Sequence, residues 1–267
     1  MQPYAARQSA AYLRSHLPLL WRVTRNEVAT RYAGSLLGLS WFLLSPLLML
    51  AIYGTVYLFI FRVRATGMTA PEYVLYIFAG LVPFLATSEA LTLGVPSVVA
   101  NRSILSNTVF PIDLVPAKAV LMSQGVMVIG MSVVVLGCLA TGILRWTALL
   151  LPLLWLLHLI ALVGAVWVLS LINVVFRDLQ NVLGMLLMLM LIASPIAFTP
   201  SMVPPHLRVF IALNPFSYLV TAYQSILVLG RVPPLRDCAV LVLGPPLVFA
   251  FGSWFFARAK RVMIDYV

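Results

Sequence analysis

Glu89 is the one acid set well inside a long apolar run. A carboxylate at that depth costs several kcal/mol unless it is paired, protonated or wetted. Two roles fit it: a part in moving a substrate, or a hydrogen bond to a neighbouring helix. Other chemistry is sparse. His16, His158 and His206 lie far apart, without the close spacing of metal ligands, and His158 reads as a helix-packing group. The only lysines are Lys118 and Lys260, and no Gly-x4-Gly-Lys-Ser/Thr occurs, so the chain cannot build a P-loop or hydrolyse ATP by that route. There is no glycine-rich dinucleotide turn and no nucleophile elbow. A membrane-embedded glycosyl or acyl transferase would need acids gathered at one membrane face, whereas Glu72, Asp113, Asp178 and Asp237 are scattered. No catalytic, cofactor-binding or metal-ligating residue is expected.

Aromatic side chains are the other candidates. Trp41, Phe42, Tyr53 and Tyr57 crowd one apolar run, with more in the next, Tyr73, Tyr76, Phe78 and Phe84 among them. They suit an interface belt and lipid-facing bulk. They equally suit a sugar track, because aromatic faces bind the apolar faces of sugar rings without demanding one register.

The elements that must position these residues are written in charge-free stretches: 35–61, 119–144, 146–176, 179–206 and 238–257. Each is long enough to cross ~30 Å of hydrocarbon at ~1.5 Å per residue. With 63% hydrophobic and 9% charged residues over 267 positions, a soluble core with a polar shell is excluded, as is a second soluble domain of ordinary size. The expected fold is an all-α integral membrane domain over 1–267. It has a cytoplasmic arm and interface helix in 1–34, and spans at 36–61, 73–100, 117–143, 149–172, 182–198 and 238–257. Residues 18–32 read as a basic amphipathic helix on the membrane surface, opened by Pro18 and carrying Leu20, Val23, Val28 and Tyr32. Gly34-x3-Gly38 offers a small-residue pair for close helix approach. Residues 199–237, broken by Pro200, Pro204, Pro205, Pro215, Pro233 and Pro234, read as an external gate region with a re-entrant helix rather than a seventh span.

The formal charge of +10 sits at span ends, where arginine meets headgroups, so no nucleic-acid partner is expected. With both termini cytoplasmic, eleven of the basic residues fall inside and six outside, whereas a seventh span would give eight against nine. The positive-inside rule therefore favours six spans. No cleavable signal sequence is expected, because the first residues lack an apolar core. Cys138 and Cys238 make no framework and read as packing residues, with a disulfide between them open in this topology.

Four ordered segments resemble the permease subunits of bacterial type-2 ABC exporters for surface polysaccharides, which export O-antigen, teichoic acid and capsule. The first is Arg31-Tyr32-Ala33-Gly34-Ser35-Leu36-Leu37-Gly38-Leu39-Ser40-Trp41, ending in Ser45-Pro46-Leu47. The second is the loop 101–116, similar to an Asn-x-x-Leu-Ile…Phe-Pro-x-x-hydrophobic-x-Pro pattern, with Ser106-Asn107-Thr108 and Ile112 where the family usually carries basic residues. The third is Phe176-Arg177-Asp178-Leu179 followed by Ser194-Pro195-Ile196, and the fourth is Leu213-Asn214-Pro215-Phe216.

The resemblance implies a half-transporter: two copies of this chain, two ATPase subunits that bind the ATP and Mg, and a lipid-linked polysaccharide moved across the bacterial inner membrane. A drug or lipid exporter of the same type is the alternative. It implies that Asn101, Leu105, Phe110, Pro111, Asp113, Arg177 and Asp178 couple to the ATPase. The first and fifth spans of two copies would face each other around a continuous channel, with Trp41, Phe42, Tyr53, Tyr57 and Glu89 along the path. Phe198, Asn214, Pro215 and Phe216 would close its outer mouth.

Overall fold

The computed structural model describes residues 11–31, 34–38, 40–56, 67–102, 111–199 and 202–263, with the side chains of 260–263 outside that description. The described residues are helical, with no strand among them. In chain order they form α1 (Leu17–Arg31), α2 (Ser40–Thr55), α3 (Ala70–Gly94), α4 (Ser97–Ala100), α5 (Leu114–Ala140), α6 (Leu151–Val175), α7 (Leu179–Ala193), α8 (Arg208–Leu213), α9 (Pro215–Leu227) and α10 (Leu235–Met263). A 3-10 turn, Trp146–Leu150, leads into α6, and another, Pro205–Leu207, leads into α8.

Four of these pieces are long and apolar enough to cross a membrane: Ala70–Gly94, Leu114–Ala140, Trp146–Val175 and Leu235–Ala259. The described part of the helix at the expected first span has 16 residues, and the helix at the expected fifth has 15, or roughly 24 and 22 Å of rise. Proline chemistry sets several ends differently from the apolar runs. The run 73–100 is divided at Val95-Pro96, so α3 stops at Gly94 and a separate turn, α4, follows. The run 182–198 ends early, because Ser194 before Pro195 adopts extended backbone (φ −85°, ψ 144°). Pro116 does not interrupt a helix; it lies in the first turn of α5, where a proline costs no intrahelical bond. Gly34 and Gly38 both take positive φ (82° and 48°). They shape the turn before α2 and are not a helix-packing pair.

Two helix pairs carry the bundle: α3 with α5, and α6 with α10. Glycine lets them close. A methyl group on Gly130 of α5 would stand 2.6 Å from Val82 of α3, and one on Gly164 of α6 would stand 2.6 Å from both the Phe249 Cα and the Val248 carbonyl of α10. A side chain seated on a glycine in the first pair, and backbone against backbone in the second, give van der Waals contact of the kind by which membrane helices associate without a hydrophobic drive. The main core lies between α3, α5 and α9, around Tyr76, Ile77, Leu81, Met127, Val134, Val220, Tyr223 and Ile226.

By contrast α7, among the described residues, packs mainly on α3 and α6, and lightly. Val182, Met185, Met188, Leu189 and Ile192 stand exposed on it. On α2, Leu43, Met49 and Ile52 do the same.

Candidate export path and coupling face

At one end of the bundle α1 lies across α5 and α3. Its inward stripe is Leu20, Thr24, Glu27 and Arg31, a helical spacing of four, three and four. Leu20 packs with Leu114 and Ala117 of α5. Glu27 receives a charge-assisted hydrogen bond from the Lys118 ammonium, and Arg31 Nη1 donates to Glu89 Oε1 at 2.9 Å. Around this crossing Val23, Asn26, Glu27, Thr30, Leu93 and Met122 line an open cleft of about 610 Å³. Burial, and after it the Asp113 carboxylate, raises the Tyr12 phenol above its ordinary range.

This arrangement answers the question posed by Glu89. With α3 ending at Gly94, Glu89 sits little more than a turn from the helix end and is paired. Its Oε1 faces Arg31, while Oε2 is buried without a hydrogen-bond partner among the described residues. Glu27 and Lys118 drew no role from the sequence. The signal was there: an acid on a basic helix, and a lone lysine at the foot of an apolar one.

The same end holds the other expected coupling residues. Asn101 caps α4 and donates to the Ser97 carbonyl at 2.8 Å. The Asp113 carbonyl accepts from Trp167 Nε1 at 3.0 Å, tying the foot of α5 to α6. Pro111 is half-buried, and Arg177 and Asp178 are exposed in the turn between α6 and α7. Leu105, Phe110 and Tyr57 lie outside the described residues.

Toward the opposite end the chain departs from helix at residues 194–197, and side chains satisfy the freed backbone. Gln224 of α9, fully buried, donates through Nε2 to the carbonyls of Pro195 (3.1 Å) and Ile196 (3.0 Å). The Tyr73 hydroxyl donates to the Ala197 carbonyl. Asn214 donates to Ser194 Oγ at 2.9 Å and accepts from the Phe216 amide at 2.9 Å, which caps α9 and fastens its start to the break. Pro215 occupies the first position of α9. Phe216 tilts against Phe84 with ring centroids 5.4 Å apart, and Phe198 is half-buried. Irregular backbone away from water survives only when covered and bonded in this way. Gln224 was not singled out from the sequence, and Tyr73 entered only as one of the aromatics of the second apolar run. A buried Gln in an otherwise apolar helical stripe was the available sign.

The three aromatics of α2 that are described do different things. Trp41 Nε1 donates to Ser35 Oγ at 3.1 Å. The Phe42 ring fills the space over Gly125 of α5. Tyr53 packs at the edge of the main core. Within the bundle His158 Nε2 lies 2.8 Å from Thr87 Oγ1, and its Nδ1 lies 3.5 Å from the Tyr223 hydroxyl, a buried set joining α6, α3 and α9. His158 is a packing group, as its surroundings in the sequence suggest.

Residues 18–228 match the family model of the ABC-2 type transporter. The chain belongs to that family. Among ABC-2 relatives it is 28% identical over 247 residues to the O-antigen export system permease protein RfbA of Myxococcus xanthus, covering 91% of this chain and 93% of the relative. It is 27% identical over 217 residues to a protein of the same name from Klebsiella pneumoniae, covering 80% and 82%. The ABC-2 match spans α1 through α9, so it takes in both the α1 crossing and the fastened break at 194–197.

Proposed function

We propose that this chain is the transmembrane subunit of an ATP-driven exporter that moves a lipid-linked polysaccharide, of the O-antigen kind, across the bacterial inner membrane. The likeness to O-antigen export permeases over nine-tenths of the chain carries this reading. The energy comes from a separate ATPase subunit, two copies per transporter, which binds ATP and Mg. It docks on the end that holds α1, Asn101, Pro111, Asp113, Arg177 and Asp178. That end is cytoplasmic, in keeping with the distribution of basic residues.

Two copies of the chain face each other through α2 and α7. What supports this is the lightness of α7's attachment and the apolar side chains that both helices leave bare. A long polymer cannot be enclosed at once, so it is threaded between the copies. Residues 194–199 and 202–227 close the outer mouth, held shut by Gln224, Tyr73 and Asn214. Opening requires those bonds to move or break as a set, driven from the ATPase side.

Deleting the gene in its host and restoring it with wild type or with Asn214→Ala and Gln224→Leu variants tests the reading. Surface polysaccharide measured by gel profile should vanish on deletion, with lipid-linked glycan accumulating inside. Normal surface glycan in the deletion strain overturns it.

A further inference from the structure

A second site stands apart from the break and the α1 crossing. Arg208, Ile211 and Ala212 of α8, Ser217, Tyr218 and Thr221 of α9, and Arg236 and Asp237 of α10 enclose a cavity of about 230 Å³. Its polar groups are only partly used. Arg208 spends Nε on the Val203 carbonyl at 3.0 Å, and its remaining guanidinium donors have no partner among the described residues. Arg236 Nη2 reaches the Tyr218 hydroxyl at 3.5 Å, while that hydroxyl donates to the Ala212 carbonyl at 2.7 Å. Thr221 Oγ1 is turned to the Ser217 carbonyl at 2.7 Å. Ser217 itself is 3% exposed, lines the cavity, and its hydroxyl has no partner among the described residues. A buried hydroxyl left unbonded keeps its full desolvation penalty, which an incoming acceptor would relieve. Two guanidiniums against the single carboxylate of Asp237 leave the cavity net positive, with donors in excess of acceptors.

We propose that this cavity is an anion site at the outer mouth, taking a phosphate or carboxylate group. Arg208 and Arg236 supply the charge, and Ser217 donates the inner hydrogen bond. Its placement at the outer mouth rests on the proposed topology. Two sources offer that chemistry: an acidic or phosphorylated sugar of the emerging glycan, and the phosphate of an outer-leaflet lipid. Occupancy by either would join α8, α9 and α10 through one ligand, and so bear on the position of α9.

The test uses the full chain with its ATPase in vesicles of phosphatidylcholine, with Cys138→Ala and Cys238→Ser as background and Thr221→Cys as reporter. Ala212→Cys is the second reporter should the first fail to assemble. An anionic sulfonate thiol reagent should label the reporter on the order of tenfold faster than a cationic trimethylammonium one. Arg208→Gln with Arg236→Gln should erase the preference. Glucose 1-phosphate or glucuronate slowing the anionic reagent identifies the glycan as source. Slowing by phosphatidylglycerol built into the vesicles, with no solute added, identifies the lipid. Equal rates for the two reagents, or a preference that survives the double variant, overturns the site. Labelling only from the ATPase side overturns the outward placement, and with it the export topology; unchanged surface glycan in the gene deletion would instead sink the functional reading alone.

Discussion

The α6–α10 pair and α7 are opposite solutions to standing in a membrane. In the first, Gly164 and Gly252 bring two backbones into contact, and nothing larger than hydrogen fits between them. In the second, a 15-residue helix touches its own chain lightly and leaves methionine, leucine and isoleucine bare. A methyl group on Gly184 of α7 would meet nothing within 4 Å. All three helices carry a long charge-free run to a reader of the sequence. What separates them is the presence of a partner inside the chain, which teaches that hydrophobicity marks immersion while glycine spacing marks contact.

Substitutions can break this contrast. The largest effect is expected at Gly164→Val. The added carbons meet the backbone of Phe249, which cannot yield as a side chain would, so stability should fall by roughly 3 kcal/mol or more. Thermal denaturation in detergent should show the loss, if monodisperse protein is obtained at all. Gly184→Val should leave the melting temperature of the monomer within about 1 °C, because surface changes are usually small. Equal damage from the two would erase the distinction.

Met188→Lys sharpens it further. Met188 is 68% exposed on α7. If α7 faces a second copy, surface polysaccharide should drop to the level of the deletion strain and dimer should be lost in cross-linking, with insertion and ATPase binding intact. Export at wild-type level would separate α7 from the path.

Gln224→Leu comes next. It strips two buried carbonyls, Pro195 and Ile196, of their donors, and should lower stability by roughly 2 kcal/mol. Labelling of a cysteine introduced at Ala197 should rise in parallel.

The smallest effects belong to the α1 crossing. Glu27→Gln leaves the Lys118 ammonium, 8% exposed, facing a neutral partner, and with Glu27 itself 42% exposed should cost between about 1 and 2 kcal/mol. Arg31→Gln removes a pair that is 42% and 22% exposed, and should cost no more than about 1 kcal/mol. Added salt should shrink the second cost more than the first. Proteolysis of the α1 region reports both.

Much of the fold was legible in the residues. Pro18 and a helical period announced α1, the apolar runs announced the long helices, and Asn214-Pro215 announced the start of α9. What stayed hidden depended on neighbours. The apolar residues of α1 suggest a face laid on lipid, yet the stripe turned to the bundle carries Glu27 and Arg31, because their partners sit on α5 and α3. Glu89 looked deep because an apolar run continues past Pro96, whereas backbone geometry stops the helix before it. Ser194-Pro195 was visible as a motif, but which side chains would serve its carbonyls depended on the docking of α9. Of the candidate path residues, Trp41 and Phe42 are spent on Ser35 and on Gly125, contacts that no spacing rule within one helix could reveal.

The Gly164–Gly252 contact also constrains how the gene can vary. Where two side chains interlock, a harmful change on one is commonly relieved by a smaller residue opposite. Here there is no smaller residue, and the atoms in the way are helix backbone, which no substitution can trim. A selection for restored export from Gly164→Val should therefore return glycine far more often than any change at a second position. By that measure the seam between α6 and α10 is a genetic dead end, whereas the bare face of α7 leaves room for compensation.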